Sequence, residues 1–223
     1  MPVLAPSTKE LLVRAGERLV AEHGIDGVSM LEISAAAGNG NKSAVQYHFG
    51  SKDQLVQAIF EHRLPRLRER RALLVAEREP RDVRGWVECQ VRAVLEQSEV
   101  DGSSYLRFVA MLYEQGRRDL FERMSAEFLE GTKAFHRQLQ LSLPEVPEPN
   151  RARRIAAAMT MIVHAGAHRE RARGLGHPVL PFAVEVADLV DGVVGFLEAS
   201  VSPEARRAVA DADQAPLLWP WFF

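Results

Sequence analysis

Residues 43–52 read Ser-Ala-Val-Gln-Tyr-His-Phe-Gly-Ser-Lys. Val45 and Phe49, four apart, mark the buried side of a short helix over about 42–49, and Gly50 breaks it. Ser51-Lys52-Asp53-Gln54 opens the next helix as a capping box: the hydroxyl accepts from an orphan backbone N–H while the side chain three residues on reaches back. Ahead of the short helix stands Gly38-Asn39-Gly40-Asn41, four residues that all tolerate positive φ. Before that turn, a second short helix over about 30–37 puts Met30, Ile33 and Ala37 inward. Two short helices around a tight turn, braced by a longer one over 8–23 with Leu12, Ala15, Leu19 and Val20 on one side, describe a helix-turn-helix.

The same start signal recurs at Ser7-Thr8-Lys9-Glu10 and at Ser29-Met30-Leu31-Glu32. Downstream, apolar residues keep recurring at three and four, and no period-2 run rich in Val, Ile and Thr interrupts them. The helix from Lys52 carries Leu55, Ile59 and Phe60 inward, and Pro65 is expected to kink or end it. The predicted fold class is all-α, with about nine helices. A three-helix helix-turn-helix domain over residues 1–53 precedes a larger helical domain over 54–223, the connecting helix starting near residue 52. At 223 residues, 47% hydrophobic and 26% charged, the composition is that of an ordinary globular chain and excludes disorder. No apolar run approaches the roughly 18 residues a membrane span needs. The start of the chain lacks a signal-peptide layout, and the single Cys89 rules out a disulfide framework within one chain, so a cytoplasmic location is expected. The net charge of −2 gives no bulk signal for nucleic acid, so that reading rests on local sequence. The cluster Arg63, Arg66, Arg68, Arg70 and Arg71 reads as a solvated helix face.

The run from Thr8 to Phe60 resembles the DNA-binding domain of the TetR family of bacterial transcriptional regulators. The resemblance is carried by Ala15 to Gly24, Val28 to Ile33, Ala37-Gly38 and above all by residues 43–52 with Leu55. It implies double-stranded DNA as a partner and Thr8, Ser29, Asn41, Lys42, Ser43, Ala44, Gln46, Tyr47, His48 and Lys52 as its contacts. In the family, the equivalents of Tyr47 and Lys52 commonly touch phosphate. Side-chain chemistry fits: a glutamine pairs with adenine N6/N7, an alanine methyl meets a thymine methyl, and a helix N-terminus such as that at Lys52 attracts phosphate. Many members have Tyr where this chain has Gln46, which therefore reads a base or only a phosphate oxygen. Asn41 contacts the DNA backbone or closes the turn. Tyr47 has packing against the first helix as its alternative, His48 a structural hydrogen bond, and Thr8 a plain capping role.

The remainder of the chain carries fewer signals. Trp86, Tyr105, Phe108, Met111, Phe121, Met124, Phe128 and Met159 fall at helical spacings and form a candidate wall for an apolar cavity, although each alone reads as readily as core. His164 and His168 are candidate neutral donors to the same ligand. The resemblance implies that such a cavity takes an inducer, expected to be small and mainly apolar. The helices over about 150–172 and 181–199 carry a three–four seam through Ile155, Met159 and Ile162 and through Val186, Leu189 and Val193. That seam reads as a homodimer interface through the last two helices, as the family builds it, or as intramolecular core. His164 and His168 are four apart but lack a third ligand, so neither a metal nor a cofactor is expected. Cys89 reads as a small buried residue. With no phosphate loop, dinucleotide-binding glycines, nucleophile elbow or carboxylate pair, no enzyme is expected. The apolar tail Leu217–Phe223 is expected to dock on its own domain or on a partner subunit. Together these features lead to a ligand-responsive repressor, homodimeric on a palindromic operator and without a membrane partner. The alternative is a helical small-molecule-binding protein whose DNA binding has decayed.

Overall fold

The computed structural model describes residues 6–38, 43–117, 119–120, 126–148 and 150–211, with only the backbone described for 126–132 and 208–211. Among the described residues there are ten α-helices and no strand. They are α1 (Thr8–His23), α2 (Met30–Ala36), α3 (Ala44–Phe49), α4 (Lys52–Arg78), α5 (Val83–Leu95), α6 (Tyr105–Glu114), α7 (Ala126–Leu141), α8 (Asn150–Gly174), α9 (Phe182–Glu198) and α10 (Pro203–Asp211). A 3-10 turn, Glu96–Glu99, follows α5. The all-α class stands, and α10 is an element that the sequence reading did not single out.

Two of the three capping boxes are complete. Ser7 N–H donates to Glu10 Oε2 at 2.7 Å while Glu10 N–H donates to Ser7 Oγ at 3.3 Å. The Ser29–Glu32 pair repeats this at 2.7 and 3.2 Å. The third is half a box: Ser51 Oγ accepts from Gln54 N–H at 3.2 Å, with no return bond from the Gln54 side chain.

α4 runs through Pro65 and ends only at Arg78, where Glu79 takes a left-handed cap ahead of Pro80. The helix does not end at Pro65. Pro65 and Glu61, whose carbonyl the proline leaves without its helical donor, both lie on the exposed side of the helix, so the missing hydrogen bond falls on the solvent-facing side. The 27-residue helix is thereby continuous. Its first half packs with α1 and α3, and its second half packs with α5.

α1 also packs on α6, α6 on α8, and α9 against α5 and α8. The seam expected between subunits is spent inside the chain: Ile155, Ile162 and Val193 are fully buried and Val186 and Met159 nearly so, while Leu189 is partly buried. A three–four alternation marks a buried face without naming its partner; here that partner is α5, α6 and the facing helix. Exposed apolar side chains on α8 and α9 are instead Met161, Val184 and Phe196, and a Cβ at Gly192 or Gly195 would meet nothing within 4 Å.

Candidate nucleic-acid interface and effector cavity

α3 has six residues, so its faces are easily assigned. Val45 and Phe49 are buried, while Ser43, Gln46, Tyr47 and His48 are exposed, Tyr47 at 83%. The Tyr47 and His48 rings meet edge to face at 5.2 Å, which stiffens a polar-tipped ridge on the outer side of the helix. Ala44 departs from expectation. At 3% exposed it belongs to the core beside Val45, so its methyl is not available to a thymine. Being one residue from Val45 on so short a helix, it turns inward with the N-terminal end of α3. There Ser34, buried on α2, accepts from Val45 N–H at 3.4 Å and donates to Met30 O at 3.1 Å, satisfying one orphan donor of α3.

Lys52 is not a free cation. Its Nζ donates to Ile25 O at 2.8 Å and Val28 O at 3.2 Å, locking the connection between α1 and α2 onto the start of α4. Thr8 and Ser29 are exposed at the starts of α1 and α2, and Ser7 rather than Thr8 is the cap of α1. Asn41 and Lys42 lie outside the described residues.

Polar contacts that spacing alone does not reveal join the helix-turn-helix to the larger half. Glu17 of α1, 2% exposed, receives both Arg63 Nε and Nη2 at 2.7 Å and Ser104 N–H at 3.0 Å. Burial opposes the Arg63 charge, but the Glu17 hydrogen bonds outweigh it and raise the pKa. The guanidinium also lies over the Tyr105 ring at 5.6 Å. Gln115 Oε1 accepts from Ile25 N–H at 3.1 Å, next to Gly24 in the left-handed region (φ 75°), where a Cβ would collide with the Gln115 amide. Arg117 Nη2 donates to Asp53 at 3.2 Å, across from α4. Glu170 of α8, also buried, accepts from Arg107 N–H at 3.0 Å, and burial raises its pKa. The expectation of a solvated arginine face therefore holds only in part. Arg63 and Arg71 are withdrawn from solvent, and Arg70 is paired with Glu96 at 2.7 Å.

The candidate ligand residues separate into several environments. Tyr105 and Phe108 are fully buried and form a ring cluster with Phe60 at centroid distances of 5.4–6.4 Å; they are core and line neither of the cavities below. Met159, 5% exposed, is likewise core. Aromatics at helical spacing specify burial, and whether a void stands beside them depends on the helix opposite. Trp86 lines a cavity of about 700 Å³ between α4, α5 and α7, with Pro65, Arg71, Val75, Phe135 and Gln138 among its other walls. Met111, His164 and His168 line a separate cleft of about 550 Å³ between α1, α6 and α8, with Glu22, Arg107 and Glu114. His164 Nδ1 lies 2.9 Å from Thr160 O, the acceptor, and its Nε2 is 3.6 Å from Glu114. Phe121 and Met124 lie outside the described residues, as does the apolar tail, and Phe128 has only its backbone described. Among the described residues no three His, Cys, Asp or Glu side chains are grouped to hold a metal ion, and no helix is long and apolar enough to cross a membrane. Cys89 is buried, which pushes its thiol pKa up.

Two family models match the sequence. The model of bacterial regulatory proteins of the tetR family matches residues 12–59, and that of the tetracyclin repressor-like C-terminal domain matches residues 88–200, just over half of the chain. The chain belongs to the TetR family. The exposed ridge of α3 is thus part of the DNA-binding helix-turn-helix of a TetR-family transcriptional regulator, and the helical half fits the family's ligand-binding domain. Similar solved structures include a transcriptional regulator from Streptomyces coelicolor A3(2), 22% identical over 86% of this chain and 99% of that one, TM-score 0.46. A TetR-family regulator from Mesorhizobium loti MAFF303099 is 17% identical over 85% and 95%, TM-score 0.46. The TetR-family regulator PfmR from Thermus thermophilus is 15% identical over 92% and 94%, TM-score 0.42. Among curated proteins none matches the chain. The family whose models match this chain is one of bacterial regulatory proteins.

Proposed function

We propose that the protein is a ligand-responsive repressor that binds a near-palindromic operator as a homodimer and leaves it when a small, mainly apolar molecule fills the cavity between α4, α5 and α7. One observation carries this reading: α4 is common to both functions. Its first turns place Leu55, Val56 and Ile59 in the core with α1 and α3, and its later turns, from Pro65 to Ala76, line the cavity. A molecule that displaces the later turns displaces the element on which α3 is seated. Only a ligand that binds the two arrangements unequally does this.

In this reading residues 1–53 are the DNA-binding unit, 54–223 the effector-binding and dimerising unit, and α4 the link. Ser43, Gln46, Tyr47 and His48 meet the major groove and its flanking phosphates, with Thr8 and Ser29 at the backbone. Lys52 acts chiefly by holding the α1–α2 connection. The aromatic pair Trp86 and Phe135, 5.4 Å apart, favours an apolar effector body. The exposed faces of α8 and α9 around Met161, Val184, Gly192, Gly195 and Phe196 supply the dimer interface, where glycines allow close helix approach.

Selection of duplexes from a random pool by the full-length protein tests the reading. It predicts an enriched inverted repeat with half-sites about 34–36 Å apart or a multiple of that, and binding that weakens steeply with salt. Recovery of no preferred sequence at low salt contradicts it and favours a small-molecule-binding protein without an operator.

A further inference from the structure

Ile25 sits in the corner between α1 and α2, buried at 1% exposure, and side chains from other elements take both of its backbone polar groups. Lys52 donates to its carbonyl, and Gln115, at the end of α6, accepts from its N–H. The two are not equivalent. Lys52 closes the corner from within the helix-turn-helix unit, whereas Gln115 reaches it from the larger half, ninety positions along the chain. Gln115 is itself exposed, so little burial depends on it, yet it supplies the acceptor for a buried residue's N–H. The end of α6 holds that acceptor at a fixed place. Gly116 is left-handed (φ 64°), its N–H donates to Tyr113 O at 3.1 Å, and Arg117 N–H donates to Leu112 O at 3.1 Å, the paired bonds of a Schellman motif. From the same motif Arg117 reaches Asp53, next to Lys52, so the tie returns to the start of α4. The ring runs from the end of α6 to Ile25, through Lys52 to α4, and back through Asp53 and Arg117. Beside it, α1 and α6 are parted along some of their length by the cleft of about 550 Å³ that they share with α8.

We propose that Gln115 is a positioning residue for DNA recognition: by accepting from Ile25 N–H it sets how the helix-turn-helix is seated on the larger half, and through that the separation of the two recognition helices in a dimer. This rests on the reading of the protein as a homodimer on an inverted repeat. Glu17, buried at the same boundary with Arg63 and Ser104, is committed to holding the fold together. Gln115, at the surface, acts on where the folded unit sits. The chemistry required is an acceptor at that reach rather than an amide. A glutamate supplies it, and an asparagine, one methylene shorter, falls short of Ile25.

Affinities of the full-length protein for three duplexes test the proposal: the selected inverted repeat, the same repeat with its half-sites one base pair further apart, and a single half-site. The unaltered protein is expected to prefer the selected repeat over both others. Gln115→Ala should leave the half-site affinity unchanged while weakening binding to the selected repeat about threefold to tenfold, the range for the net worth of one hydrogen bond. Its preference between the two spacings should shrink by a similar factor. Gln115→Asn should behave as Gln115→Ala does and stands in for it if that variant does not fold, whereas Gln115→Glu should recover the parental pattern. Half-site and repeat affinities that fall by the same factor would mean that Gln115 only stabilises the helix-turn-helix, and would overturn the proposal. A spacing preference that survives intact at Gln115→Ala, or is lost equally at Gln115→Glu, overturns it as well. An unaltered protein that binds the half-site as tightly as the repeat overturns the homodimer reading, and this proposal with it.

Discussion

The two halves of α4 sit in differently built surroundings. Around its first turns the helix-turn-helix is an apolar core of Leu12, Ile33, Val45, Leu55 and Ile59, with Ser29, Ser34 and Lys52 spent on caps and backbone carbonyls within it. At the boundary between the two units and beyond it, charged groups are buried in long-range contacts: Glu17 with Arg63, Arg71 with Gln90, and Arg169 with Glu99 and Glu185. An apolar core has one good arrangement and holds the recognition helix to it. Buried charges stabilise only while each partner stays in place, so they mark where a change of packing is felt as a large energy. The helix-turn-helix is held mainly by apolar packing, and the boundary and the larger half also by paired buried charges.

Breaking the boundary pair should have the largest effect. Glu17→Ala strands the Arg63 guanidinium and the Ser104 N–H, and a loss of about 3–5 kcal/mol in chemical denaturation is expected. Adding Arg63→Met should recover much of it by removing the orphaned charge. A Glu17→Ala protein as stable as the parent would mean that the boundary is held by packing alone, and the contrast between the halves would lose its basis.

The proposed dimer face separates exposed from buried apolar residues on the same helices. Met161→Glu with Val184→Glu is expected to weaken association by about a hundredfold or more, the scale of interface hot spots, while leaving the protomer folded. Val193→Glu, by contrast, places a charge in the chain's own core and should unfold it. Sedimentation and circular dichroism on the two variants distinguish the outcomes.

Within the helix-turn-helix, Lys52 and Tyr47 should part company. Lys52→Ala removes the donor to two carbonyls and is expected to cost about 1–3 kcal/mol of stability. Tyr47→Ala, at a side chain 83% exposed, should change stability by less than about 0.5 kcal/mol. It should nonetheless lower the slope of log affinity against log salt by about one, as loss of a phosphate contact does. A Tyr47→Ala protein with parental salt dependence would remove the tyrosine from the DNA contacts.

The smallest effect concerns the caps. Hydrogen bonds from Ser7 and Ser29 hold the Glu10 and Glu32 carboxyls below the ordinary carboxylate range. A depressed folded-state pKa contributes stability that is fully present above the unfolded value of 4.5 and is lost as pH falls through the folded value. Below pH 4.5 the starts of α1 and α2 should therefore fray before the effector half unfolds, as amide exchange would detect. Glu10→Gln with Glu32→Gln should flatten that acid limb.

Much of this contrast was legible in the sequence, for physical reasons that differ by residue. Ser7–Glu10 and Ser29–Glu32 are local signals four residues long, and α1 follows from one of them. The packing of α8 and α9 was legible as a buried face but not as an intramolecular one, since Ile155 and Val193 carry the same periodicity whichever surface they meet. Tyr105 and Phe108 misled for the same reason: their spacing encodes burial, and the cavity lies beside Trp86. Ala44 was assigned to the outer face of a helix too short for periodicity to decide. Glu17 and Arg71 did leave a readable trace, each being a charge inside an otherwise apolar stripe. Their partners lie 46 and 19 residues away, and no spacing rule names them.

Everything proposed for regulation depends on one event: filling the α4–α5–α7 cavity must move the recognition helices. Pulsed electron–electron distance measurement between spin labels at His48→Cys in the two protomers tests it, with the buried Cys89 left in place and Ala72→Trp, on the cavity wall, as a covalent stand-in for ligand. The parent's inter-label distances are expected to include the separation required by successive major grooves, about 34 Å for the recognition elements. Ala72→Trp should shift the distribution away from it and weaken operator binding. An unchanged distance distribution in a folded Ala72→Trp dimer would contradict the coupling.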